Sequence, residues 1–226
     1  MKKIYIVLLL SFLFSCQNRK TIQLPEINNA QITEVLDISP AYIFYDETKK
    51  DSLELNRKNL ISTTNWLVNV DKRLTLKQVI PTITFLQEKK RNAKMHKNEA
   101  AKNYYTCSDT NIKNLGFLEF TNINYHESKK DTLNKFHSLW EKEKLEIYVK
   151  SKKSIHLIGT SLSTAIMETN FENFASILKK LNRNDSLQLF LNFNKKLTFQ
   201  EYISIKSIVQ EFAINKISIN NNEFIY

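Results

Sequence analysis

Glycine and proline are almost missing from this chain, at two and three in 226 residues. That scarcity excludes barrels, propellers and loop-rich sandwiches, which consume turn residues, and it leaves no glycine-rich phosphate loop. Cysteine is as rare: Cys16 and Cys107 alone cannot build a disulfide framework. The four histidines, His96, His126, His137 and His156, fall in no HxH, HExxH or Cys–His spacing, so neither a metal site nor a cofactor is expected. "GTSLS" (residues 159–163) begins like a nucleophile elbow, but Ser163 stands where close packing needs glycine. No catalytic residue can be assigned, and the chain is read as no enzyme.

The start of the chain is the most informative stretch for compartment. Lys2 and Lys3 precede an almost unbroken apolar run over residues 4–14. At about 1.5 Å per helical residue it reaches about 16 Å, against a hydrocarbon core of about 30 Å. A signal-peptide core fits better than a spanning anchor. Leu13-Phe14-Ser15-Cys16 then resembles the lipobox of bacterial lipoproteins, with Phe14 bulkier than usual at its position. The resemblance implies a signal peptide over residues 1–15 and a lipidated Cys16, whose several acyl chains would anchor stably where one would not. No Asp follows Cys16 to mark inner-membrane retention. The expectation is a periplasm-facing lipoprotein, on the outer rather than the inner membrane. Lipidation consumes one cysteine and leaves Cys107 unpaired, as a partly buried small residue.

Composition bounds the rest. A content of 42% hydrophobic and 11% aromatic residues is enough to build a core, which excludes global disorder. The net charge of +10 concentrates in "QEKKRNAKMHKNEAAK" (residues 87–102) and "VKSKK" (residues 149–153). These runs lack interleaved aromatics for base stacking, and a secreted chain meets little nucleic acid, so nucleic acid is not an expected partner. Anionic head groups and acidic wall polymers fit the charge, as does a plain solvated face.

One phrase occurs twice. Residues 68–88, "VNVDKRLTLKQVIPTITFLQE", and residues 191–211, "LNFNKKLTFQEYISIKSIVQE", agree at seven of 21 positions. Trp66, Val68 and Val70 alternate with other residues, as do Leu189, Leu191 and Phe193, a period of two that marks a strand. Thr75 with Gln78, and Thr198 with Glu201, then read as capping boxes, with Leu74/Val79 and Leu197/Tyr202 as hydrophobic staples. Helical spacing follows at Leu76, Val79, Ile80, Ile83 and Leu86, and at Phe199, Tyr202, Ile203, Val209 and Phe212. Each copy predicts a strand, a sharp turn and an amphipathic helix. "INKISINN" (residues 214–221) reads as the return strand of the second copy, a right-handed βαβ crossover. In the first copy the basic helix is expected to run on towards Tyr104, kinked at Pro81, with its return strand delayed to "GFLEFTNI" (residues 116–123). The terminal "NEFIY" reads as an edge strand.

These stretches are similar to a known pattern. "IQLPEINNAQ" (residues 22–31), the hairpin-like "AYIFYDETKKDSLEL" (residues 41–55) and strand–"DKRLT"–helix resemble the periplasmic domain of the ExbD/TolR family of biopolymer-transport proteins. The second half resembles it too, through "LEIYVKSKKSIHLIG" as hairpin, "NFENFASILKKL" as helix and the unit just described. The family's membrane helix carries an acidic residue for proton-driven work, whereas residues 4–14 contain neither Asp nor Glu. Proton coupling is therefore not carried over. The resemblance implies a dimerising domain that engages envelope proteins or peptidoglycan.

The expected fold is α+β: two tandem repeats, each a small mixed sheet with a strand–turn–helix–strand (βαβ) unit packed by amphipathic helices. The expected order is signal peptide 1–15, lipidated linker 16–40, first repeat with its basic insertion 41–125, connecting helix 126–144 and second repeat 145–226. Assembly is expected either as a homodimer or as an intrachain pseudo-dimer. The rival reading is a lipoprotein hydrolase whose site gathers distant residues.

Overall fold

The computed structural model describes residues 20–93, 98–127, 144–159, 166–181, 187–213 and 217–226. The lipobox with Cys16, residues 94–97 of the basic run with His96, the connecting stretch 128–143 with His137, and Thr160 to Ser163 of the elbow-like motif lie outside them. The described chain is α+β, with three helices and two mixed six-stranded sheets, consistent with two tandem units.

The first sheet holds β1 (Glu26–Ile27), β2 (Ile38–Tyr45), β3 (Leu53–Asn56), β4 (Asn65–Val70), β5 (Asn103–Asp109) and β6 (Asn114–Glu119). The second holds β7 (Asn124–Glu127), β8 (Lys144–Ser151), β9 (Ser154–Gly159), β10 (Ile166–Thr169), β11 (Gln188–Phe193) and β12 (Ser218–Ile225). Helix α1 (Leu76–Arg91) joins β4 to β5, α2 (Phe171–Leu181) lies between β10 and β11, and α3 (Phe199–Ala213) joins β11 to β12. The orders β3-β2-β4-β5 and β9-β8-β11-β12 correspond strand for strand, with the same antiparallel, parallel, parallel senses. Within that frame Val68 pairs with Tyr105 and its counterpart Leu191 pairs with Glu223.

Three local expectations are corrected. Helix α1 stops at Arg91 and does not reach Tyr104. The strand that returns beside β4 in parallel is β5, while residues 114–119 form β6, antiparallel to β5. The end of the chain is not an edge, because β12 lies between β11 and β7. Residues 26–27, within the stretch read as linker, form β1, and residues 124–127 join the second sheet.

The alternating residues bury as their spacing requires. Trp66, Val68, Val70, Leu189, Leu191 and Phe193 all face a hydrophobic cluster that draws on both sheets and all three helices. The far face of the first sheet is closed by the arm that follows β1. Ile32 and Val35 pack on Leu67, Tyr104 and Phe117. The arm lies so near β6 that a Cβ on Gly116 would sit 2.4 Å from the Ala30 Cβ, which is why glycine is needed there.

The repeated phrases meet each other. A helix start leaves its first amides without intrahelical acceptors. Here each copy supplies them for the other. Leu76 N–H donates to Leu197 O at 2.9 Å and Lys77 N–H to Lys195 O at 2.9 Å; in return Phe199 N–H donates to Leu74 O at 2.7 Å and Gln200 N–H to Lys72 O at 3.2 Å. Thr75 and Thr198 form an antiparallel bridge at the centre. The capping side chains stand behind the exchange. Gln78 Oε1 accepts from Thr75 N–H at 2.8 Å, and Glu201 Oε2 from Thr198 N–H at 2.8 Å. Glu201 N–H closes its box on Thr198 Oγ1 at 3.2 Å.

Because the caps pack against each other, their losses should not add. Thr75→Ala and Thr198→Ala should each cost about 0.5–2 kcal/mol, and the double variant should differ from the sum by about 0.5 kcal/mol or more. Urea titration of the four proteins measures this, and strict additivity would show that the caps are independent.

Candidate functional site

Directly behind the seam, a line of polar side chains crosses the apolar core. Tyr105 of β5 lies 2.6 Å from Tyr125 of β7, hydroxyl to hydroxyl, and Tyr125 lies 3.1 Å from Tyr202 of α3. Tyr202 donates to Glu223 Oε2 at 2.8 Å, and the Lys206 ammonium donates to Glu223 Oε1. Each phenol has one proton. Since Tyr202 gives its proton to the carboxylate, Tyr125 must donate to Tyr202 and Tyr105 to Tyr125. All three hydroxyls therefore point towards Glu223, a one-way chain in which each bond strengthens the next. Tyr105 is wedged at the far end, stacked on Phe120 at 3.9 Å and edge-on to Phe199.

Burial pushes the hydroxyls of Tyr105, Tyr125 and Tyr202 well above the ordinary phenol range. None can become a phenolate nucleophile near neutral pH. Glu223 is fully buried and Lys206 nearly so. The arrangement suits fixing one packing of two halves better than turning over a substrate.

His126 and His156, the two histidines among the described residues, sit on different strands of the second sheet, β7 and β9. His126 Nε2 meets Asn222 Oδ1 at 2.8 Å and the ring stacks on Phe224. His156 belongs to a Ser–His–Glu cluster on β9 and β10 that bears directly on the hydrolase reading. Ser154 Oγ lies 3.1 Å from His156 Nε2, and Glu168 Oε1 lies 3.2 Å from the same nitrogen. A relay needs the acid on one ring nitrogen and the serine on the other. Here both fall on Nε2, and Ser154 donates its proton to Glu168 at 3.0 Å. These bonds hold the Glu168 carboxyl below its usual range. The cluster is a clasp between two strands.

Other reactive residue types are similarly occupied. Cys107 faces the core from β5, and burial pushes its thiol far up, so it stays protonated. Burial opposes ionisation of Asp71, but the Arg73 guanidinium, its amide and the Gln23 amide outweigh it and hold the carboxyl below its ordinary value. Lys90 is buried at the end of α1, where its ammonium donates to Thr64 O, Lys102 O and Asn103 Oδ1 at 3.2, 2.8 and 3.0 Å, beneath the Trp66 ring. Burial pushes its pKa down to about 8. Among the described residues no three His, Cys, Asp or Glu side chains gather as metal ligands. A cleft of about 300 Å³ between the arm, β6 and α3 is lined by Ile27, Ala30, Phe117, Gln210 and Glu211 among others, and among the described residues no histidine or cysteine lines it.

The candidate lipidation site, Cys16, lies outside the described residues. Sequence reasoning placed Tyr202 as a staple but missed its hydroxyl's partners. The available signal was Glu223, an acid at a core-facing position of a strand. With this geometry in hand, comparison with known proteins adds no relative: no family model, curated protein or solved structure matches the chain. Among the described residues no helix is long and apolar enough to cross a membrane.

Two outcomes test the buried groups. Glu223→Gln leaves the Lys206 charge unpaired in the core and should cost about 3–5 kcal/mol, whereas Lys206→Met with Glu223→Leu together should recover most of that loss. A single variant as stable as the parent would show that the pair is not buried as a unit. Lys90 binds fewer protons folded than unfolded between pH 8 and 10.5, so its contribution makes stability rise with pH across that window. Chemical denaturation should find that Lys90→Met flattens this rise by on the order of 1–3 kcal/mol.

Proposed function

We propose that this chain is a non-catalytic, lipid-anchored envelope protein, held by Cys16 and facing the periplasm, on the outer rather than the inner membrane. Its body is a pair of ExbD/TolR-like repeats whose strand–helix–strand segments are right-handed βαβ crossovers, joined as an intrachain pseudo-dimer. It engages other envelope proteins or peptidoglycan, as an accessory to a biopolymer-transport system that draws its energy elsewhere. One observation carries the non-catalytic reading. The polar groups that meet at the seam, Tyr105, Tyr125, Tyr202, Glu223 and Lys206, are satisfied by one another and closed off by aromatic packing. The amide exchange between the copies supports the pseudo-dimer, since each helix start already has its partner within the chain. The Ser154–His156–Glu168 cluster does not support a hydrolase, for the geometric reason given above.

Cys16→Ala should abolish incorporation of a radioactive fatty acid and release the chain from membranes. Persistent labelling, or a mature N-terminus other than residue 16, would overturn the anchor. The detergent-solubilised lipoprotein should sediment with purified peptidoglycan or co-purify with an identified envelope protein. Recovery alone in both assays would overturn the interaction reading.

A further inference from the structure

The seam gathers positive charge as well as hydrogen bonds. The two turns that exchange amides carry Lys72, Arg73 and Lys77 from one copy and Lys195 and Lys196 from the other. Lys72 is paired with Glu26 and Arg73 with Asp71. Lys77, Lys195 and Lys196 are exposed, and no ion pair engages them among the described residues. Lys50 borders the same surface hollow as Lys77, with Asp51 as the acidic neighbour. Of the other nearby acids, Glu201 is occupied by the amide and hydroxyl of Thr198, and Glu47 accepts from the Tyr45 hydroxyl within electrostatic reach of Arg73. Both long helices also begin here, so the positive ends of two helix dipoles add to the cations, and the first turn of α1 holds no acid to offset them.

A separate observation says which way this surface faces. The chain enters the body beside the seam. Gln23 N–H donates to Asp71 Oδ2 at 3.2 Å, and Gln23 O accepts from Lys72 N–H at 2.8 Å. Lys20 is held by Asp46 and Glu54. Six residues separate Cys16 from Gln23, a tether of at most about 25 Å. A folded chain of this size is about 30–40 Å across, so a lipid at Cys16 cannot reach round the body to put the opposite end on the bilayer.

We propose that the seam surface formed by Lys77, Lys195 and Lys196, with Lys50 at its margin, docks on anionic lipid head groups of the membrane that holds the anchor. This rests on lipidation at Cys16. The lysines meet phosphate groups as point charges, and the attraction, which fades beyond a Debye length, weakens as salt rises. Docking fixes the orientation of the whole body and leaves the far end, with the last turn of α2, open towards the periplasm.

The test uses the full lipoprotein purified in detergent. Mass spectrometry of its N-terminal peptide first reads acylation. The protein is then reconstituted into vesicles of phosphatidylcholine alone, or of phosphatidylcholine with phosphatidylglycerol, and treated briefly with an amine-acylating reagent. Lys77, Lys195 and Lys196 should react several-fold more slowly on the anionic vesicles, and high salt should restore their rates. Lys179 and Lys180, in the last turn of α2 ahead of the end of β11 remote from the seam, should react equally on both lipids. Equal rates for the three seam lysines on both vesicles, in an acylated chain, would overturn the docking alone. An unacylated N-terminus would overturn the anchor and the orientation argument with it.

Discussion

Two helix starts solve each other's hydrogen-bonding problem, and the architecture is arranged around that fact. The amides of Leu76, Lys77, Phe199 and Gln200 need acceptors that their own helices cannot supply, and the carbonyls of Leu197, Lys195, Leu74 and Lys72 provide them across the seam. For these atoms to meet, both strand–turn–helix units must present the same geometry. That is why Lys72/Lys195, Leu74/Leu197 and Thr75/Thr198 are identical while much of the surrounding sequence has drifted. The staples Leu74 and Leu197 are buried just beneath, so apolar packing and amide exchange support one another at the same place.

The two halves are related but not interchangeable. Tyr105 and Glu223 occupy equivalent positions on their sheets, as Val79 and Tyr202 do on their helices, and Ile83 and Lys206 one turn further on. In each pair the polar or charged member that completes the buried line is needed once. A seam between two first halves would hold Tyr105 twice and no carboxylate to receive its proton. One between two second halves would bury two Lys206–Glu223 pairs close together. The polar line thus favours the mixed pairing that a single chain provides, the kind of specificity role for which buried polar groups are best attested.

Much of this was legible in the sequence because it rests on local rules. The alternation at Trp66, Val68 and Val70 and the capping residues at Thr75 and Thr198 signal themselves within a few positions. The first return strand was not legible in its place. "NYYTCSD" starts with a polar residue behind a basic run, while "GFLEF" offers the more obvious apolar stretch, and only pairing with β4 distinguishes them. The seam was foreshadowed by the repeat but not readable as contact, since nothing local requires Leu76 to find Leu197. The polar line was least legible of all, because its members come from positions 105, 125, 202, 206 and 223 and make sense only once the halves have met.

The exchange also sets an order of events in folding. A chain made from its N-terminus presents Leu76 and Lys77 long before Lys195 and Leu197 exist. Until then α1 begins with two unanswered donors, and the inner face of its sheet has only α1 to close on. The strand pairings that finish the second sheet also reach far back, from Asn222 to Asn124. The first half is thus an incomplete template, and a nascent or truncated chain ending before the second turn would carry an open apolar face. The seam can close only once the second phrase has been made, because each turn holds the acceptors for the other.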